Sequence, residues 1–211
     1  MDPYSDHIPV MPEEVVTWIA PKPGGYYLDA TLGLGGHASR IMEAAGGQAF
    51  LLGLDRDRQA LAKARERLAP YGDNVRLAHT SFRHFARELS EAGWGQLDGV
   101  VADLGVSSLQ LDSPERGFSF LHDGPLDMRM DPSSGGEPAS AIVNGASFER
   151  LRKLIGEYGE EPMAGRIARA IVAARETARI ETTLELARIV SGAYPAKRRA
   201  LARNHPATKT F

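Results

Sequence analysis

One short segment constrains the fold of this chain more than any other. An apolar run, Tyr26–Asp29, leads directly into a glycine-rich turn at residues 30–37, and twenty residues beyond Gly35 a second apolar run ends at Asp55. Glycine lets the backbone turn tightly and approach a ligand, and an acid at a strand end accepts hydrogen bonds from ribose hydroxyls. The order strand, turn, helix, strand and acid therefore predicts a nucleotide-binding α/β fold.

Apolar runs and helix-like stretches alternate as far as residue 103. This alternation is typical of βαβ units, in which right-handed crossovers join parallel strands. Since the runs are apolar throughout, we expect helices on both faces of the sheet. The predicted strands are Tyr26–Asp29, Ala49–Leu54, Val75–His79 and Leu97–Asp103, and the predicted helices are Gly36–Ala45, Arg58–Leu68 and Arg83–Ala92.

The pattern changes after residue 111. Residues 112–147 are rich in Asp, Pro, Gly and Ser without a clear period, and we predict a long loop there. Helical periodicity then predicts helices at Phe148–Tyr158, from Pro162 to about Thr177, and at Thr182–Ala193, the last with Thr182 or Thr183 as its N-cap.

Composition and charge narrow the function classes. The chain of 211 residues has no cysteine, which excludes disulfides and thiolate metal sites and fits a cytoplasmic protein. No apolar run is long enough to cross a bilayer. Residues 150–211 carry a net charge of +7 and residues 1–149 one of −9. This asymmetry indicates either an anionic partner for the basic part or merely solvated helix faces.

The residues around the turn distinguish between nucleotide ligands. The sequence Gly33-Leu34-Gly35-Gly36-His37-Ala38 also fits the dinucleotide pattern, so a nicotinamide or flavin enzyme stays open. Asp29 and Asp103, both at predicted carboxyl ends of strands, favour S-adenosylmethionine instead. Carboxylates attract its ammonium and sulfonium groups, whereas they would repel a pyrophosphate. Asp29 and Asp55 could also do no more than cap the turns that follow them.

Several longer motifs, in this order along the chain, carry a family resemblance. The chain resembles the RsmH (MraW) methyltransferases of bacterial small-subunit ribosomal RNA. The motifs are His7-Ile8-Pro9-Val10-Met11, residues 31–37, residues 103–112, Glu115-Arg116-Gly117-Phe118-Ser119-Phe120, residues 124–131, Tyr158-Gly159-Glu160-Glu161 and His205-Pro206-Ala207-Thr208.

The resemblance implies a Rossmann-like methyltransferase sheet with an inserted all-helical module, and methylation of the exocyclic N4 amine of a cytidine in 16S ribosomal RNA near the decoding centre. It implies S-adenosylmethionine as cofactor, and because the sulfonium group is already an excellent electrophile we expect no metal. The implied cofactor contacts are Gly35, Gly36, His37, Asp55 for the ribose, Phe82 beside the adenine, Asp103 and Gln110. Asp103 is also the expected catalytic residue, since a carboxylate would stabilise positive charge developing on the amine.

For the RNA, we expect phosphate contacts from Lys197, Arg198, Arg199, Arg203 and Lys209. The loop Gly117–Asp131, with Phe118, Phe120 and Met128, is either a wall for an extruded base or a lid packed on the helical module.

The expected division is a cofactor-binding part at residues 1–111, a loop and helical insertion for substrate recognition at 112–204, and the start of a return to the first domain at 205–211. Members of the family continue well beyond this point, so we expect a gene fragment whose catalysis is in question. The rival hypothesis is a non-catalytic RNA-binding or assembly module that retains the cofactor pocket as a relic.

Overall fold

The computed structural model describes residues 9–211, and His7 and Ile8 of the first motif lie outside the described residues. The chain divides into two compact units. The first ends at Ser107 and contains the sheet, and we call it the sheet unit. The second, Ser108–Phe211, is built from helices and is called the helical unit.

The sheet unit holds four parallel strands in the order β3-β2-β1-β4. The two central strands are almost fully buried, which is why their sequences are apolar. The strands are β1 (Tyr26–Asp29), β2 (Phe50–Asp55), β3 (Val75–His79) and β4 (Gly99–Val101), and the helices are α1 (Pro12–Ile19), α2 (Gly36–Ala44), α3 (Arg58–Leu68) and α4 (Phe85–Ala92). The α/β class predicted from the sequence is confirmed.

Strand β4 is shorter than the predicted Leu97–Asp103. At its start, the carboxylate of Asp98 accepts a hydrogen bond from the backbone N–H of Tyr26 and pairs with Lys22. Beyond its end, the backbone N–H of Asp103 donates to the hydroxyl of Thr31 instead of to a strand. At its start the backbone N–H of Asp98 also donates to the carbonyl of Tyr26, so a side chain takes the place of a strand partner only beyond the end of β4.

Helix α1 was not predicted from the sequence. Pro12 occupies its first turn together with Glu13 and Glu14, a favourable arrangement at a helix N-terminus. Val15 and Ile19, four residues apart on one face, pack against the core of the sheet unit. Because the helix has only eight residues, its periodic signal is short.

The helical unit contains six helices within the described residues, and the middle four contribute side chains to one apolar core. Thr182 caps α9, and Glu185 completes the capping box, so one of the two predicted N-caps is confirmed. The predicted helices from Phe148 to Ala193 are present. The bounds of the six are α5 (Ser108–Asp112), α6 (Ala139–Gly145), α7 (Phe148–Glu157), α8 (Ala164–Thr177), α9 (Thr183–Ala193) and α10 (Ala196–Leu201).

The prediction of one long loop at residues 112–147 was wrong in its last part, where α6 forms. The side-chain amide of Asn144 both donates to the carbonyl of Ile180 and accepts from its N–H. The guanidinium of Arg175 donates to the carbonyls of Val143 and Ala146. These partners, which are far away in the sequence, stabilise a two-turn helix that could not be predicted from its own residues.

Gly159, in the motif of residues 158–161, allows the C-terminal segment to pack against the end of α7. A Cβ at this position would lie 2.0 Å from the carbonyl oxygen of Lys209 and 2.8 Å from that of Ile155. Neighbouring Glu161 is buried and accepts hydrogen bonds from the hydroxyl of Tyr194 and the N–H of Met163. The motif therefore has a packing role in the helical unit.

We expect Gly159→Ala to destabilise the helical unit by several kcal/mol or to detach residues 206–211, because backbone atoms must move to admit the methyl group. Circular dichroism melts and limited proteolysis near the C-terminus would measure this. Gly145→Ala is the matched control, since a Cβ there has no neighbour within 4 Å. Equal melting temperatures for the two variants would contradict the prediction.

Among residues 9–211, no helix has the length and apolar character needed to cross a bilayer.

Candidate functional site

The turn that follows β1, residues 30–37, is shaped by glycines in a left-handed conformation. Gly33 has φ 53° and Gly35 has φ 77°, values that L residues rarely adopt. Gly35 is the N-cap of α2, and its N–H donates to the carbonyl of Leu32. The backbone thereby reverses in a few residues and places the start of α2 at the carboxyl edge of the sheet, where ligands of such sheets bind. We call residues 30–37 the glycine turn.

Asp55 holds the glycine turn against the next loop. One carboxylate oxygen accepts the N–H of Gly33 at 2.7 Å, and the other accepts the N–H of Asp57 at 2.8 Å. Burial raises the pKa of Asp55, while these backbone hydrogen bonds oppose the rise. The capping role considered for this residue is therefore present in the structure. Each oxygen keeps a second lone pair, so a ribose contact from Asp55 stays a prediction.

Asp29, the last residue of β1, is buried with only half of its carboxylate satisfied. Its Oδ1 accepts the N–H of Thr31 at 3.2 Å, whereas Oδ2 has no hydrogen-bond partner among the described residues. Its side chain is 1% exposed. Burial, together with the charges of Asp55 and Asp103, raises the pKa of Asp29 to about 7, and the backbone N–H groups of Thr31 and Ala38 act in the opposite direction. An unsatisfied buried carboxyl of this kind is costly unless a ligand completes it.

His37 is the second buried group near the turn with an unsatisfied atom. It lies in the first turn of α2 and is 7% exposed, and its Nδ1 has no partner among residues 9–211. Burial lowers the pKa of His37, and the nearby charge of Asp103 acts in the opposite direction. A neutral imidazole offers one donor and one acceptor, which suits a polar ligand at this edge.

Asp103 and Phe82 also follow strands at the carboxyl edge. The backbone N–H of Asp103 donates to the Thr31 hydroxyl at 2.7 Å, and the Asp103 side chain is exposed. Phe82 begins a short 3-10 turn after β3, and its side chain is 42% exposed, an unusual position for a large apolar ring. The structure thus brings Gly35, Gly36, His37, Asp55 and Asp103 to one edge, with Phe82 directly after a neighbouring strand.

The remaining predicted site residues lie in the helical unit. Gln110 belongs to α5 and is 4% exposed. Lys197, Arg198 and Arg199 lie on α10, a helix that was not predicted for this basic stretch. All five basic residues of the predicted RNA contact are exposed, and none forms an ion pair with a carboxylate in the described part of the chain: Lys197, Arg198, Arg199, Arg203 and Lys209.

Some of these basic side chains have neutral partners. Arg199 donates to the carbonyl of Ser191, Lys209 donates to the carbonyl of Glu160, and Arg198 contacts the sulfur of Met163. Such contacts orient the positive charges without neutralising them.

The edge around the glycine turn fits a cationic nucleotide cofactor. Two buried groups, Asp29 and His37, each have an unsatisfied polar atom, and Asp103 adds an exposed carboxylate within electrostatic range of both. A pyrophosphate would be repelled by this charge. An ammonium or sulfonium group would be stabilised by it.

Comparison with known proteins identifies the family. The model of the MraW methylase family matches residues 4–211. The chain belongs to this family. The protein named Ribosomal RNA small subunit methyltransferase H of Maridesulfovibrio salexigens is 60% identical over 209 residues, which are 99% of this chain and 64% of that protein. Its namesake in Oleidesulfovibrio alaskensis is 58% identical over 208 residues, again 99% and 64%.

The chain therefore spans about 64% of the length of these curated relatives. For this member of the MraW methylase family, Asp29 was predicted from the residues as a partner of a cationic group of the cofactor, whereas Thr31 was not predicted as a site residue. Asp29 had a signal in the sequence, an acid directly before the glycine turn. The contact of Thr31 with Asp103 had none, because 72 residues separate the two.

Proposed function

We propose that the chain is part of an S-adenosylmethionine-dependent methyltransferase that modifies the N4 amine of a cytidine in 16S ribosomal RNA, acting on the small subunit in the cytoplasm. Membership of the MraW methylase family and the names of the relatives support this reaction class. The observation that carries it is the pair of unsatisfied buried groups, Asp29 and His37, beside the glycine turn. A bound cationic cofactor would give the unsatisfied atoms of these two side chains a polar partner.

In this proposal, each residue of the sheet unit binds the part of the cofactor that matches its own chemistry. The backbone of Gly35 and Gly36 provides close approach, and Asp55 accepts from the ribose hydroxyls. The exposed ring of Phe82 stacks on the adenine. Asp29 gains a cationic partner for its free oxygen. Gln110, which lies in the helical unit, stays a cofactor contact implied by the family resemblance.

When bound, S-adenosylmethionine supplies an electrophilic methyl group. The cytosine amine is a weak nucleophile, since its lone pair is delocalised into the ring, so its orientation contributes most of the acceleration. Asp103 accepts a hydrogen bond from the amine N–H and stabilises the positive charge that develops on nitrogen. The proton then leaves to this carboxylate or to water, without a metal.

The contacts of the loop Gly117–Asp131 bear on where an extruded base could lie. Phe120 and Met128 pack against the helical core, and the Phe120 ring lies 4.7 Å from that of His205 and 4.9 Å from that of Phe211. These contacts favour the lid interpretation for those two side chains. Phe118, with the Arg116 guanidinium 5.9 Å from its ring, is then the aromatic residue we propose beside the base.

The basic residues of α10 should make RNA binding sensitive to salt. We expect the double variant Lys197→Ala/Arg198→Ala to weaken binding to 16S RNA fragments and to reduce the slope of log affinity against log salt by about 1 to 2. Filter binding or fluorescence anisotropy at several salt concentrations measures the slope. Arg179→Ala is the control, because Arg179 is paired with Glu181. An unchanged slope in the double variant would show that α10 is only solvated surface.

The proposed reaction is tested with tritiated S-adenosylmethionine and small ribosomal subunits that lack the modification. We expect label in 16S RNA, located at the N4 position of one cytidine by mass spectrometry of nucleosides. Binding of RNA without transfer of label would instead support the non-catalytic module.

A further inference from the structure

The segment after β4 carries Asp103 and has little regular structure of its own. Residues 102–107 form neither helix nor strand, and α5 starts only at Ser108. The last hydrogen bond of the sheet at this point runs from the N–H of Ala30 to the carbonyl of Val101. Asp103 therefore needs a further contact if its carboxylate is to keep one position.

Thr31 provides that contact. Its hydroxyl oxygen lies 2.7 Å from the backbone nitrogen of Asp103 and accepts its N–H. Thr31 is itself fixed, because its own N–H donates to Oδ1 of the buried Asp29. One side chain thus connects the end of β1, the glycine turn and the segment after β4.

We propose that Thr31 is a positioning residue that sets the place of the Asp103 carboxylate at the proposed cofactor and amine site. This inference rests on the proposed function. Thr31 does not touch the reacting atoms; it acts through the backbone of Asp103. A hydroxyl is required because it must accept the N–H, and valine has nearly the same shape without an acceptor. Serine keeps the acceptor.

Hydrogen exchange tests the structural half of the proposal in the free protein. We expect Thr31→Val to raise the exchange rate of the Asp103 amide at least tenfold, and Thr31→Ser to leave it within about twofold of wild type. Thr17→Val is the matched control, because the exposed Thr17 hydroxyl only donates to the carbonyl of Glu13 within α1. Unchanged exchange in Thr31→Val would overturn the proposal.

A double-mutant cycle tests the functional half. Calorimetry with S-adenosylmethionine and the labelled-methyl assay are applied to Thr31→Val, Asp103→Ala and the double variant. We expect Thr31→Val to lose about 10- to 100-fold in affinity or in kcat, in the range of misplaced active-site groups. In the Asp103→Ala background the same change should have no further effect. Thr31→Ser should recover most of the loss.

The outcomes are distinguishable. If the effects of the two substitutions multiply, or if Thr31→Val matches wild type while Asp103→Ala is impaired, Thr31 does not act through Asp103 and the inference is wrong. If the wild-type chain neither binds the cofactor nor transfers methyl groups, the proposed function fails. In that event the functional half of the inference falls with it, and the exchange result alone decides whether Thr31 fixes the segment.

Discussion

Replacing Asp103 by alanine is expected to reduce methyl transfer to small ribosomal subunits by at least about 100-fold. In the proposed mechanism the Asp103 carboxylate stabilises charge that exists only in the transition state, and loss of one such group typically costs about 10²- to 10³-fold in kcat. The exposed side chain of Asp103 is free to reach a substrate, while its backbone is held by Thr31. Single-turnover assays with labelled cofactor measure the loss.

Calorimetry on the same variant separates the two roles considered for Asp103. A large loss of cofactor affinity would indicate that it holds the cofactor, and a loss of kcat at saturating cofactor that it acts on the amine. Asp98→Ala is the control, since Asp98 lies at the opposite end of β4 and pairs with Lys22. Turnover at the wild-type rate by Asp103→Ala would remove this residue from the mechanism.

Asp29→Asn is expected to change how the stability of the free protein depends on pH. The pKa of Asp29 is raised to about 7 in the folded protein, against about 3.9 in an unfolded chain. Between these values the folded state keeps a proton that the unfolded state releases, so rising pH destabilises the wild type until about pH 7. Asparagine cannot ionise and keeps an oxygen for the Thr31 N–H.

The free energy of unfolding of Asp29→Asn relative to wild type should therefore increase by about 4 kcal/mol from about pH 4 to about pH 8, since each pKa unit corresponds to about 1.4 kcal/mol. Urea unfolding followed by tryptophan fluorescence reports on the sheet unit, because Trp18 and Trp94 both lie there. The exposed Asp73, changed to asparagine, is the control. If the free energies of unfolding of Asp29→Asn and of the wild type differ by the same amount at both pH values, the prediction is contradicted.

Local patterns explain why much of the sheet unit could be predicted. Strands β1 and β3 have the predicted bounds, because each is a short run closed by a polar or turn residue. The glycine turn was recognisable from residue types alone, since glycine adopts the left-handed backbone of Gly33 and Gly35 far more readily than other residues do.

The features that escaped prediction depend on partners far away in the sequence. Helix α6 depends on two hydrogen bonds between the side-chain amide of Asn144 and the backbone of Ile180. The segment just after β4 is held by the hydroxyl of Thr31. An aspartate at a strand end can bind ribose or cap a turn, and only the structure shows that both oxygens of Asp55 accept backbone N–H groups.

The central claim is that carboxylates at the carboxyl edge of the sheet bind a cationic cofactor beside the glycine turn. Calorimetric titration of S-adenosylmethionine and of NAD into the wild-type chain and into Asp29→Asn tests it most directly. We predict one site for S-adenosylmethionine, at least tenfold weaker in Asp29→Asn, and no binding of NAD. Binding of NAD in place of S-adenosylmethionine, or equal affinity of both proteins for S-adenosylmethionine, would contradict the claim.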